Sequence, residues 1–374
     1  MTVGKIELGQ VAWIDASLVN PTLAQYRDLP HVSAEHICSV TGELRGVKTA
    51  LADGMTSSKY LFQPGDVLYS KLRPYLRKAA IPEYAGLCSA DMYPLKMNLE
   101  CLLPSFFRIL LVSDDFTSYA NEESARSRMP KLNREQLFGY RFVLPSLDFQ
   151  RAVERATAAK QSEMEVARRA AREQLNEIAK LATAIVTESI RNTSTKPCLL
   201  GDVLDEVKHG IGASWADHPV LGATREGLAP AKEQPGKMAP KYKPVTPGTV
   251  FYNPMRILIG SIAFVDEDDT PGITSPDYVA LRGKPGRVDS RWFYHWLRSH
   301  LGAQCILSLA RGAVRERMLF NRLADGKIDL PSPEAQEKAS RALRELKPLQ
   351  RALKSKLAEI DLLPQKILAQ AFEM

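Results

Sequence analysis

The chain lacks any long apolar run. No stretch of its 374 residues approaches the roughly 18–20 needed to span a bilayer, so no membrane partner is expected. Cysteine is scarce: Cys38, Cys88, Cys101, Cys198 and Cys305 lie far apart and are odd in number. That usage fits reduced thiols in a cytoplasmic protein better than a disulfide framework. Met1 to Gln10 has no apolar core after its lysine, so no secretory signal is expected. Acidic charge falls short of basic, 43 side chains against 50, for a net charge of +7. Such an excess permits an anionic partner without demanding one. With 45% hydrophobic and 25% charged residues, the composition is that of a folded globular protein, which excludes disorder, collagen and a pure coiled coil.

The signatures of catalysis are also missing. Gly236-Lys237 and Gly326-Lys327 lack the first glycine and the hydroxyl of a phosphate-cradling loop. Gly210-Ile211-Gly212 starts like a dinucleotide fingerprint but has Trp215 where the third glycine belongs. Asn253-Pro254-Met255-Arg256 lacks the second proline and the aromatic of a base-methylating loop. Pro276-Asp277 and Asp325-Gly326-Lys327 are too far apart to form a nuclease site, and they read equally well as turns. His31/His36 and His295/His300 have no Cys-x-x-Cys beside them, so no zinc site is expected. No Gly-x-Ser-x-Gly elbow occurs either. No active site is expected.

What the chain does contain is itself, twice. Leu8-Gly9-Gln10-Val11 returns as Leu200-Gly201-Asp202-Val203. Pro64-Gly65-Asp66-Val67-Leu68-Tyr69 returns as Pro247-Gly248-Thr249-Val250-Phe251-Tyr252, with Arg73 falling on Arg256. Ser89-Ala90-Asp91 matches Ser275-Pro276-Asp277. Leu144-Pro145-Ser146 with Gln150 matches Leu330-Pro331-Ser332 with Gln336. Leu175-Asn176-Glu177-Ile178 matches Leu357-Ala358-Glu359-Ile360. Matches in one order at nearly constant offset make the chain two diverged copies of one unit.

Each copy opens with a globular part of short β-like runs entered from Pro-Gly turns. Each then turns to Ala, Glu, Arg, Lys and Leu. Residues 146–190 hold no glycine or proline, which predicts a helix of about 65 Å. Ala171, Leu175, Ile178, Ala182 and Ile185 step by 4, 3, 4 and 3, as a coiled-coil seam does. In the second copy the seam is read as Leu346, Leu349, Leu353, Leu357, Ile360 and Ile367, with Pro364 as a kink or break. The shared pattern predicts an antiparallel helix pair packed through Leu175, Ile178, Ile185, Leu353, Leu357 and Ile360. The expected divisions are 1–145, 146–192, 193–331 and 332–374, and the fold class is α+β.

Basic residues interleave with aromatics at matched places. In the first copy Lys59 with Tyr60, and Tyr69, Ser70, Lys71, Arg73, Tyr75, Arg77 and Lys78, form one cluster. Arg126, Arg128, Lys131 and Arg134 form another. In the second copy Lys237, Lys241, Tyr242 and Lys243 precede Asn253 and Arg256, while Arg311, Arg315, Arg317 and Arg322 answer the Arg126 cluster. Lysine and arginine neutralise phosphates, arginine reads guanine edges and asparagine adenine edges, so these residues are the candidate DNA contacts.

Two diverged units, each followed by a long helix that starts at Leu-Pro-Ser and Gln, resemble the specificity subunit of type I restriction–modification systems. The string Pro-Gly-Asp-Val-Leu-Tyr-Ser-Lys-Leu-Arg-Pro-Tyr-Leu-Arg-Lys at 64–78 is similar to that family's target-recognition-domain motif, as is Ser89-Ala90-Asp91. The second copy departs from it: Asn253-Pro254-Met255 replaces Ser70-Lys71-Leu72, and the loop that follows is expected to be longer.

The resemblance implies a non-catalytic chain in which each target recognition domain reads half of a bipartite site in double-stranded DNA. The helices would fix the unread spacer and dock two modification (methyltransferase) subunits. It implies no cofactor on this chain: S-adenosylmethionine would sit in the modification subunits, and ATP and magnesium in the translocating restriction subunits. Two other readings stay open on the residues alone, a structural adaptor that binds only protein and a stand-alone DNA methyltransferase or nuclease.

Overall fold

The structure is a computed structural model describing residues 4–125, 130–233, 235–236, 238–310 and 317–371, with backbone alone at 365 and 368–371. It divides into two units. The first runs up to Ala170 and resumes from Lys356; the second is Ala171–Ser355.

Both units are built round a four-stranded antiparallel sheet with the same strand order. In the first unit β1 (Ala12–Trp13), β2 (Val67–Ser70), β3 (Ala79–Ala80) and β4 (Met92–Met97) lie in the order β1-β4-β2-β3. In the second, β5 (Leu204–Glu206), β6 (Thr249–Tyr252), β7 (Ile262–Val265) and β8 (Val279–Gly283) lie in the order β5-β8-β6-β7. The registers also correspond. Tyr69 pairs with Tyr93 and Ala79, and Tyr252 pairs with Val279 and Ile262.

Alternation along the strands explains the apolar composition of both sheet faces. Val67 and Tyr69 enter one core with Leu95, Phe106, Phe107 and Phe116, while Leu68 enters a second core with Val32, Phe62 and Cys88. In the other unit Val250, Tyr252 and Leu281 face Trp292 and Phe293, while Phe251, Ala263 and Ala280 face Val245 and Leu221. Burial on both faces leaves the strand connections as the parts of each unit open to a ligand.

Helices follow each sheet in matched order. α1 (Pro104–Leu111), α2 (Asp114–Ser124) and α3 (Arg134–Phe138) precede α4 (Leu147–Arg191). In the second unit a single turn, α5 (Leu200–Val203), comes before the sheet, and α6 (Ser290–Arg298), α7 (His300–Leu309) and α8 (Phe320–Leu323) precede α9 (Pro333–Ala371). Short polar residues start several of them: the side chains of Ser113, Asn133, Asp289 and Ser299 accept from the N–H of Phe116, Gln136, Trp292 and Gly302.

A buried glutamine fastens each long helix to its own unit. Gln150 Oε1 accepts from the Leu103 N–H at 2.8 Å, and its Nε2 donates to the carbonyls of Cys101 (2.7 Å) and Pro145 (2.9 Å). Gln336 repeats the pattern with the Asp289 N–H (2.9 Å) and the carbonyls of Pro331 (2.9 Å) and Arg287 (3.3 Å).

In the second unit the start of α6 meets the last turns of α4, through Trp292 Nε1 to Ser189 Oγ at 2.9 Å. It also meets the first turns of α9, through Gln336 and the Arg291–Ser340 bond. The two helices therefore run antiparallel there. Ala182, Val186, Ala339, Leu343 and Leu346 share one core with Ile178 and Ile185 against it. Leu175 and Leu353 are half-buried. In the first unit Ile360 is buried and Leu357 half-buried, and Arg168 donates to Asp361 from Nε (3.1 Å) and Nη2 (2.8 Å).

Two expectations are corrected. Leu349 is 55% exposed, and half-buried Gln350 takes its place between buried Leu346 and half-buried Leu353. α9 also runs unbroken through Pro364, which is buried between exposed Leu363 and Lys366, so the helix does not break there although the missing N–H costs one helical bond.

Candidate nucleic-acid interface

The connection from β2 to β3 and that from β6 to β7 are the same object. Pairing of Tyr69 with Ala79 and of Tyr252 with Ile262 leaves 70–78 and 253–261 between them, equal in length. The extra length of the second copy lies beyond this connection, since 19 positions separate Arg256 from Ser275 against 16 between Arg73 and Ser89. Each begins with a backbone bond across its base, Ser70 N–H to the Lys78 carbonyl (3.0 Å) and Asn253 N–H to the Ser261 carbonyl (3.2 Å). Each then forms one 3-10 turn, Pro74–Leu76 or Ile257–Ile259, with an arginine, Arg73 or Arg256, just before it. Each turn closes on a left-handed residue, Arg77 at φ +48° or Gly260 at φ +82°. Arg73 is left-handed as well, at φ +50°. Non-glycine residues in that region cost roughly 1–2 kcal/mol each, so the surrounding bonds hold the first loop in a conformation it would not adopt alone.

The second basic cluster of each copy is delivered to this loop. In the first unit Leu72 bridges to Lys131, the Leu132 N–H donates to the Lys71 carbonyl at 2.9 Å, and the Arg73 N–H donates to Pro130 at 2.8 Å. In the second unit the Met318 N–H donates to the Pro254 carbonyl at 3.0 Å, at the matched position. Exposed Arg73 thus lies beside exposed Lys131, and exposed Arg256 near exposed Arg317, which pairs with Asp277 at 3.1 Å. Tyr75 stands at the crest of the first loop, 53% exposed. Arg134 donates to the Tyr60 hydroxyl at 3.0 Å. Arg126, Arg128, Lys237, Arg311 and Arg315 lie outside the described residues.

Several expected contacts are instead used inside the units. Tyr69 is buried in the core, edge-on to Phe116, with its hydroxyl pushed up by burial. Ser70 is buried and donates to the Leu72 carbonyl at 3.2 Å. Lys59 is buried and donates to the Ser57 carbonyl (2.8 Å) and hydroxyl (2.6 Å), and burial lowers its pKa. Lys71 is buried, bonded to the Ala90 carbonyl and 5.1 Å from the centre of the Tyr93 ring, again with its pKa lowered by burial. Lys78 donates to the Ala34 carbonyl at 2.5 Å and Lys243 to the Tyr278 carbonyl at 2.7 Å. Arg77 pairs with Asp114 at 2.5 Å. The common cause is that a carbonyl at the end of a strand or turn offers a buried ammonium a partner close by. Asn253 accepts from the Met255 N–H at 3.0 Å, so its side chain shapes the turn. Lys241 is exposed.

Sequence reasoning missed the crest of the second loop, where Met255, Leu258 and Ile259 are 58%, 55% and 50% exposed. The signal was an apolar run between Pro254 and Gly260, which reads as core unless the turn that turns it outward is known.

Among the described residues no group of three or more His, Cys, Asp or Glu is placed to hold a metal ion, and no helix is long and apolar enough to cross a membrane. The second unit has a cleft of about 740 Å³, none of it lined by the 253–261 loop, that is reached by His295, Arg298, Arg291 and Lys347. Asp266 and Asp269 in it are tightly paired, with Arg291 and Lys347 and with Lys347 and Arg351. Burial pushes Asp266 up, but Arg291, the Glu267 N–H and Lys347 more than reverse that and hold it at about 2. His295 is pushed down to about 3 by burial and by Arg298 and Arg291.

Each of the two sheet-centred units, taken by itself, offers a loop with an exposed arginine and leads into a long helix. No protein-family model matches the chain. It is 38% identical over 146 residues to the type I restriction enzyme EcoDI specificity subunit of Escherichia coli. That stretch is 39% of this chain and 32% of the relative, so the chain matches about a third of the relative's length. The fold is that of a chain in a solved structure described as the basis of complex assembly and conformational transition of the type I R-M system. The TM-score is 0.66 at 20% identity, over 98% of this chain and 97% of that one. The HsdS subunit from Thermoanaerobacter tengcongensis aligns over 98% of this chain and 96% of its own, with TM-score 0.47 and 20% identity.

Proposed function

We propose that this chain is the DNA sequence-recognition subunit of a type I restriction–modification complex. The observation that carries the reading is the duplicated loop. Equal topology presents Arg73 with Lys131 on one unit and Arg256 with Arg317 on the other, on scaffolds that differ at the crest. A repeated frame with unequal crests suits two unequal half-sites. The partial identity to a specificity subunit and the shared fold support the same reading.

On this reading the chain performs no chemistry and holds no cofactor. S-adenosylmethionine belongs to two modification subunits, and ATP with magnesium to restriction subunits. α4 and α9 set the spacer between half-sites and dock the modification subunits.

The test is the pattern of adenine methylation in cells with and without the gene, in the presence of its modification subunit. Loss of methylation at one bipartite motif is expected. If no methylation depends on the gene, DNA reading is rejected and a protein-binding adaptor takes its place. Deleting four residues within 155–170, one helical turn of about 6 Å, is expected to change the spacer tolerated. An unchanged spacer rejects the ruler role.

A further inference from the structure

The two loops share a backbone and differ in what their crests offer. In the first unit the exposed crest residue is Tyr75, with Leu72 and Leu76 half-buried. In the second, Met255, Leu258 and Ile259 are all half or more exposed, and Leu319, next to the residue bonded to Pro254, is 43% exposed. Exposure of three large apolar side chains within five residues is costly in water, since each gives up about 1.5–3 kcal/mol available from burial. The loop does not relieve this by folding over. Ile257 is buried beneath it as an anchor, and Gly260 takes the left-handed turn that no side chain adopts cheaply. Arg298 braces it from below, donating to the carbonyls of Gly260 (3.2 Å) and Ile262 (3.0 Å). The apolar crest is therefore held out, with exposed Arg256 in the same loop.

We infer that this crest reads thymine, by packing Met255, Leu258 and Ile259 against 5-methyl groups on the base edges of the half-site served by the second unit. The assignment rests on the proposed DNA reading. Two observations choose the occupant. The apolar side chains share their loop with exposed Arg256, a cation able to meet a phosphate, and the matched loop of the first unit carries a polar, hydrogen-bonding crest in the same frame. In the major groove the thymine methyl is the base-edge group that an aliphatic side chain can favour, because every other distinguishing group there is a donor or an acceptor.

The experiment uses the full chain assembled with its modification subunits and a duplex carrying its methylated bipartite site. Each thymine is replaced in turn by deoxyuridine, which removes the methyl and keeps the pairing. Affinity is expected to fall about fourfold per contacted methyl, the factor that burying one methyl-sized group carries, and only within one half-site. In the triple variant M255S/L258S/I259S, whose changes lie on exposed positions, the deoxyuridine penalty should vanish while the other half-site is read as before.

Wild-type binding that ignores every deoxyuridine overturns the inference, as it would if the crest slid between base steps instead. So does a triple variant that keeps the full penalty. If that variant instead fails to assemble with the modification subunits, the crest is a protein contact and the inference is again wrong. Absence of site-specific binding by the wild-type complex is a different result, because it removes the DNA reading itself.

Discussion

Replacing Gln150 by leucine should unfasten the first unit from its long helix and leave the second unit alone. Leucine matches glutamine closely in volume and helix preference, so the change removes hydrogen bonds without opening a hole or breaking the helix. Lost are the bonds to the Leu103 N–H and to the Cys101 and Pro145 carbonyls. At about 1 kcal/mol for each bond, and more for a donor stranded in a buried place, the loss comes to roughly 3–5 kcal/mol. Gln336→Leu strips the corresponding groups at Asp289, Pro331 and Arg287 and should cost the second unit a similar amount.

The chain carries its own reporter. Of four tryptophans, the two buried ones, Trp292 and Trp296, both belong to the second unit. In urea unfolding, Q150L should shift part of the circular dichroism transition by roughly 1–2 M while leaving tryptophan fluorescence in place. Q336L should move the fluorescence. A loss under about 1 kcal/mol, or both variants moving both probes together, would refute the claim that each glutamine serves its own unit.

Further outcomes follow from the charged groups. Asp266→Asn leaves the part-buried Arg291 with only the distant Glu267 carboxylate at 3.9 Å and should cost the second unit about 3–5 kcal/mol, whereas D266L/R291L should recover much of it; thermal unfolding of the double-mutant cycle decides. His295 stays neutral in the folded unit until about pH 3, while an unfolded histidine takes up its proton near 6.5. The part of the second unit's stability that depends on His295 is therefore complete above pH 6.5. It falls as pH drops from there toward 3, by up to about 1.4 kcal/mol per pH unit, and His295→Gln should flatten the slope between 6.5 and 4. In the assembled complex, Arg73→Ala and Arg256→Ala should each reduce DNA affinity and lower the salt slope by about 1, without lowering the melting temperature. Lys71→Ala should do the reverse, and equal effects from all three would remove the distinction between loop surface and loop interior.

The architecture was legible because it is written twice. One match of Pro-Gly followed by an apolar run is weak, but order and offset shared by Leu8, Pro64, Ser89 and Leu144 are specific, and each falls on a matched element of the fold. The long helices were legible from the absence of glycine and proline. Site residues were less so, because charge says nothing about direction. Within Tyr69 to Lys78 the basic side chains look alike in sequence, yet Lys71 turns in to Ala90, Lys78 to Ala34 and Arg77 to Asp114, and Arg73 alone points out. Tyr69 could have been placed, since period-2 alternation puts it on the face of Val67. Leu258 and Ile259 could not, because an apolar run beside a strand is core by every sequence rule, and only the 3-10 turn closed by Gly260 turns it outward.

Arg77 tests how far the repeated frame can be trusted. It occupies the left-handed position that the second loop fills with Gly260, and holding a side chain there costs roughly 1–2 kcal/mol. What it gains is the ion pair to Asp114 at the start of α2, in which the guanidinium is largely covered and the carboxylate mostly in water. A pair so placed contributes about 1 kcal/mol, helped by its position near a helix N-terminus only through the acid. Arg77→Gly should therefore change stability by less than about 1 kcal/mol, the relieved strain offsetting the lost pair. DNA affinity should not change, because the guanidinium is spent on Asp114 and the loop keeps its shape. If R77G folds with unaltered stability yet binds DNA more weakly, Arg77 releases Asp114 to contact phosphate. The cationic surface of the first loop would then extend past Tyr75 to a position where the second loop has nothing to offer.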